Sequence, residues 1–138
     1  MIKRVLVGTD TSAAADVAVD AAAELARTND AELLVVYARP GNGRSGAEAF
    51  DPGKAPDPAR YLRDLSARFP AVDTTTREEP GDPVEVLCQV AEREQADVIV
   101  VGNRGVHDKR RRYLRSVPNG VVHCAPCSVY VVDTRIAQ

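Results

Sequence analysis

Four short apolar runs recur along the chain: Val5-Leu6-Val7, Leu33-Leu34-Val35-Val36, Val98-Ile99-Val100-Val101 and Val129-Tyr130-Val131-Val132. Each is short, rich in β-branched residues and almost free of polar interruption. That is the pattern of strands covered on both faces, as in parallel sheets. A fifth segment, Val72-Asp73-Thr74-Thr75-Thr76-Arg77, has strand propensity with mostly polar side chains and predicts an edge strand.

Helical spacing fills the intervals. From Ala13 to Thr28 the charges at Asp16, Asp20, Glu24 and Arg27 form one solvent stripe, opposite Val17, Ala21 and Leu25, and Ser12 is the predicted N-cap. In a second helix Leu62, Leu65 and Phe69 share a face, Arg60, Arg63, Asp64 and Arg68 stay wet, and Pro70 ends it. A third opens with Asp82 as N-cap and Pro83 at its first position, and its inward stripe is Val84, Leu87, Cys88 and Ala91. A short fourth helix is predicted after Ser116. The order β-α-β-α-β-α-β-α-β calls for an open α/β parallel sheet with right-handed crossovers and helices on both faces. Pro40 to Pro58, with four glycines and four prolines, reads as a long loop. Arg104 to Arg115 carries six basic residues and is too irregular to read as a helix.

The 138 residues are expected to form one domain, 1–138, large enough for a core without disulfide or metal staples. Hydrophobic residues at 44% and charged residues at 28% exclude a disordered chain. The net charge of −2 excludes a globally basic nucleic-acid binder. No apolar run approaches a membrane span, and the first residues turn polar too early for a secretory signal. An odd count of three cysteines in an unexported chain is expected in the reducing cytoplasm.

In a sheet of this kind ligands bind beyond the carboxyl ends of the strands, where strand order reverses. The residues that follow the strands are Gly8-Thr9-Asp10-Thr11-Ser12, Gly102-Asn103-Arg104-Gly105 and Arg115-Ser116-Val117-Pro118-Asn119-Gly120. No GxxxxGK[ST] is present, which removes a Walker-type loop, and no GxGxxG follows the first strand, which removes the standard dinucleotide site. A Gly-x-x-Gly turn, a basic stretch and a serine at a helix start remain. Exposed N–H groups, the helix N-terminus and cationic side chains each suit a phosphate, though a Gly-x-x-Gly alone is equally a tight turn.

Taken in order, Val5-Leu6-Val7-Gly8-Thr9-Asp10, Ala96-Asp97 through Gly105, Ser116-Val117 and Ala125-Pro126-Cys127-Ser128 through Val132 resemble the universal stress protein family. The likeness covers essentially the whole chain. It implies a five-stranded parallel sheet of order 3-2-1-4-5, of the Rossmann-like, adenine nucleotide alpha hydrolase-like kind. The ATP-binding branch of the family carries Gly-x-x-Gly, nine residues, then Gly-Ser/Thr. Gly102, Gly105 and Ser116 match this, and Arg115 stands in place of the last glycine. Its side chain either obstructs close backbone approach or adds a charge-assisted phosphate contact. The resemblance implies that Thr9 and Asp10 hold the ribose side of a nucleotide, that Ala38 meets adenine through its backbone and that Val101 lines the pocket. Gly102, Arg104, Gly105, Arg115, Ser116 and Val117 would surround the phosphates. Asp10 and Ser116 would serve equally as a turn residue and an N-cap. ATP, with magnesium, or another adenine nucleotide is the implied ligand. The Ser116-Val117-Pro118-Asn119 wording is similar to that of actinobacterial members, some of which bind cyclic AMP.

Other readings carry less. Cys124-Ala125-Pro126-Cys127 has redox spacing but closes a helix instead of opening one, and Cys88 falls on an apolar stripe. No metal site is expected. Lys109 to Arg112 lack the aromatic platform of a nucleic-acid binder, with aromatics at 4%. No nucleophile–base pair is visible, so the residues favour a nucleotide-binding regulatory module over an enzyme, with slow ATP hydrolysis as the most it would catalyse, and the family resemblance implies a role in stress response. The alternative is a dimeric interaction protein of the same fold that binds no nucleotide. In either case the apolar fifth strand, an edge in order 3-2-1-4-5, is expected to pair with a second copy through residues 129–132.

Overall fold

The structure is a computed structural model and describes residues 1–39, 57–103 and 117–134. Along the chain it runs β1 (Arg4–Thr9), α1 (Ala13–Asn29), β2 (Glu32–Arg39), α2 (Pro58–Arg68), β3 (Thr74–Pro80), α3 (Pro83–Arg93), β4 (Val98–Gly102), α4 (Val117–Cys124) and β5 (Ser128–Val132). The five strands form one sheet in the order β3-β2-β1-β4-β5, and every neighbouring pair is parallel. The expected architecture and strand order are therefore those observed.

The first three apolar runs are buried on both faces because alternate residues point to opposite helix layers, whereas the fourth departs from that expectation: on the edge strand β5, Tyr130 and Val131 are exposed. Val5, Val7, Leu33, Val35, Val98 and Val100 pack with α1 and α2, whereas Leu6, Leu34, Val36, Ile99 and Val101 pack with α3 and α4. Each fully buried valine or leucine contributes roughly 1.5–3 kcal/mol relative to exposure. The strand at the polar edge is β3, displaced from the expected 72–77 because Val72 N–H turns back to the Phe69 carbonyl.

Helix starts follow the expected caps. Ser12 Oγ accepts from Ala15 N–H at 3.1 Å, and Asp82 Oδ2 accepts from Val84 and Glu85 N–H at 3.1 and 3.2 Å. Pro58 opens α2 behind the Asp57 cap, earlier than the loop reading allowed. On α1 the innermost residues are Ala18, Val19, Ala22, Ala23 and Ala26, with Val17, Ala21 and Leu25 flanking them. Four alanines let the helix sit close to the sheet, so the larger side chains move to its margins.

At the amino edge, the Asp97 carboxylate accepts from both Lys3 and Arg4 backbone N–H, at 2.8 and 2.9 Å, tying the start of β1 to that of β4. These two bonds hold its carboxyl below the usual carboxylate range. Among the described residues no helix is long and apolar enough to cross a membrane.

Candidate functional site

Strand order reverses between β1 and β4, and their carboxyl ends lead into Asp10 and Asn103. The turn after β1 is built by its own side chains. Thr9 Oγ1 accepts from Thr11 N–H at 3.0 Å, and Asp10 Oδ1 accepts from Ser12 N–H at 2.9 Å. Between them Thr11 takes a φ of 70°, a left-handed conformation that a β-branched residue adopts at a cost of about 1–3 kcal/mol. The strain is held where the Asp10 carboxylate leaves the sheet. Thr11 escaped the sequence reading, since nothing in residue type marks a threonine for positive φ.

Thr9 is buried, and its side chain lies on the α1/α2 face, where it meets the Tyr61 hydroxyl. Tyr61 donates to the Asp16 carboxylate. Burial first, and then this bond, hold the phenol far above its ordinary range. Arg68 completes the cluster, 3.8 Å from Asp16 and 2.7 Å from Asp20.

Ala38, Val101 and Val117 belong together on the opposite face. Val101 is part of the buried α3/α4 cluster, and Ala38 and Val117 are partly buried against that cluster. This apolar margin, at the carboxyl ends of β2 and β4 and the start of α4, suits a flat base. Asp10, an acceptor beyond the end of β1, suits a sugar hydroxyl. Gly102 closes β4 against α1 and the C-terminal segment: a Cβ there would lie 2.8 Å from Thr134 Cγ2 and 3.7 Å from Ala18 Cβ. Its lack of a side chain thus has a packing cause, which the phosphate motif did not reveal. Arg104, Gly105, Arg115 and Ser116 lie outside the described residues. Among the described residues, the site thus comprises one carboxylate acceptor, Asp10, and an apolar margin.

The cysteines depart from the sequence reading, which left all three reduced. Cys88 of α3 and Cys124 of α4 form a disulfide across 36 residues, with Cα atoms 6.0 Å apart. Cys127 is the free thiol, and burial, with the Asp97 charge adding to it, pushes that thiol up. A pairing between two helices at that separation has no local sequence signal, whereas the CxxC spacing drew attention to Cys127.

The profile of the Universal stress protein family matches residues 1–133. The chain belongs to this family. A putative universal stress protein of Staphylococcus aureus (strain USA300) is 29% identical over 140 residues, covering 96% of this chain and 84% of its own. A universal stress protein solved in complex with cAMP is 31% identical with a TM-score of 0.75, covering 96% of this chain and 98% of that one. The universal stress protein UspA from Lactobacillus plantarum is 26% identical, again with a TM-score of 0.75, covering 95% and 97%. Universal stress proteins of known structure thus share this fold along nearly the whole chain.

Proposed function

We propose that this universal stress protein is a cytoplasmic, single-domain regulatory module in stress response that binds an adenine nucleotide, ATP or cyclic AMP, at the carboxyl edge between β1 and β4. The observation that carries the reading is the strained Thr11 turn, pinned by Thr9 and Asp10 at the point where strand order reverses. A costly conformation held by two side chains at the ligand-binding edge of an α/β sheet fits a preorganised site. The cAMP complex of a relative at 31% identity supports the same ligand class.

In this reading Asp10 accepts from a ribose hydroxyl, and the backbone of Ala38 meets the base beside Val101 and Val117. Gly102, Arg104, Gly105, Arg115 and Ser116 surround the phosphates, with magnesium accompanying ATP. Thr9 acts on the ribose side through the turn it holds. The protein pairs with a second copy through β5, where Tyr130 and Val131 are 46% and 40% exposed on an edge strand.

Calorimetry with ATP, ADP, AMP and cyclic AMP tests the site. Saturable binding weakened about tenfold by Asp10→Ala is the expected result. Absence of heat with all four at millimolar concentration overturns it and leaves a dimeric interaction protein that binds no nucleotide. A gain in ATP affinity on Arg115→Gly would show the arginine to be an obstruction in the cradle.

A further inference from the structure

Val84 and Cys88 stand one turn apart on α3, and Gly120 and Cys124 stand one turn apart on α4. The two rows face each other. A Cβ on Gly120 would come within 2.8 Å of Val84 Cγ2, so the missing side chain lets the helices approach closely. One turn further along both helices, that approach sets the Cys88 and Cys124 Cα atoms 6.0 Å apart, within bonding range.

Three features distinguish this bond from a permanent one. Cys124 is exposed while Cys88 is 7% exposed, so one sulfur is open to attack and the other is shielded. Each sulfur also lies beside a carbonyl of the opposite helix. Cys88 Sγ is 4.0 Å from Val121 O, and Cys124 Sγ is 3.9 Å from Val84 O, so both S–H groups have an acceptor when the bond is open. Finally, α4 has eight residues and Val121 is its only buried one, so its docking leans on this seam while the sheet core does not.

We propose that Cys88 and Cys124 form a reversible thiol–disulfide site, worked by exchange with a low-molecular-weight thiol or disulfide at Cys124, that fastens α4 to α3. In the closing direction the Cys124 thiolate attacks one sulfur of a small disulfide and expels a small thiolate, leaving a mixed disulfide. The Cys88 thiolate then attacks Cys124 Sγ and expels the second small thiolate. The two protein thiols lose two electrons, the small disulfide becomes two thiols, and the two protons pass to them. A small thiolate attacking Cys124 Sγ reverses the sequence, with Cys88 as the leaving group. Cys127, partly buried and with its thiol pushed up, stands aside from the exchange. This proposal is independent of nucleotide binding.

The test treats the full chain with oxidised glutathione or dithiothreitol, quenches with acid, alkylates in denaturant and weighs the product. The oxidised chain is expected to take one alkyl group and the reduced chain three, interconverting through repeated cycles with an unchanged far-UV spectrum. Oxidised Cys127→Ser should take none, and its peptide map should join the segments holding Cys88 and Cys124. Oxidation should raise Tm by about 10 °C in the wild type and not in Cys124→Ser. A Cys124–Cys127 or interchain link, no bond in oxidised Cys127→Ser, or unfolding of the chain on reduction overturns the proposal.

Discussion

Thr134 Cγ2 occupies the space where Gly102 would carry a side chain, 2.8 Å from the position of a Cβ. The contact is fixed from both sides: Asn103 N–H donates to the Val132 carbonyl at 2.8 Å, and Thr134 N–H donates to Asn103 Oδ1 at 3.1 Å. Gly102→Ala is therefore expected to destabilise the protein by about 1–3 kcal/mol through overpacking. In a Thr134→Ser background, which removes Cγ2, at least half of that loss should disappear. Urea denaturation of the four chains in a double-mutant cycle measures the coupling.

Asp97 makes acid stability dependent on the junction of β1 and β4. Its folded carboxyl lies below the ordinary value of 3.8, so its contribution is complete above that value and is lost as pH falls through the folded one. Asp97→Asn should cost about 1 kcal/mol at pH 7, a figure reduced for solvent screening. The gap between the two chains should narrow in denaturation series as pH falls below the ordinary value and through the folded one.

Tyr61 gives the opposite dependence. Its phenol is raised above the ordinary 10.0, so the stability it supplies is full below that pH and declines as pH rises toward the folded value. Tyr61→Phe removes the donor to Asp16 and should cost about 1–2 kcal/mol at pH 8. That difference should narrow above about pH 10. Alkaline difference spectra should also find Tyr61 the last tyrosine to ionise in the folded chain.

The pairing of copies through β5 is tested by charge. Val131→Lys, on the exposed side of the edge, should convert a two-chain particle into a single chain by light scattering, with thermal stability of the fold little changed. A wild-type particle already of one-chain mass at micromolar concentration would remove the interface.

Much of this fold is written in local pattern. Val5-Leu6-Val7 and Val98 to Val101 state their two-sided burial directly, and Ser12 and Asp82-Pro83 mark helix starts through side chains that satisfy nearby N–H groups. What stayed hidden depends on distance in the chain. The inward turn of Ala18 and Ala22 is set by the approach of the sheet, and Val17 would have been the better guess from hydrophobicity alone. The bond from Cys88 to Cys124 and the fit of Thr134 against Gly102 join residues that no short window contains. Of the candidate site, Asp10 is marked by its position after a strand, whereas Ala38, Val101 and Val117 are named only through the family resemblance. The strain at Thr11 has no such mark, because it is imposed by the bonds around it.

The far edge of the sheet is armoured with charge. Arg77 reaches Glu94 at 2.7 Å, Arg93 reaches Glu79 at 2.6 Å, and Arg39 lies 3.7 Å from Glu78, all on or beside β3. If two chains join at β5, the ribbon they create has a β3 at each extremity. Adding a third chain there would strip water from these ions with nothing apolar gained in return. Growth by edge-to-edge stacking is thereby self-terminating: a bare seam on one side and a guarded rim on the other permit a closed couple and forbid a filament.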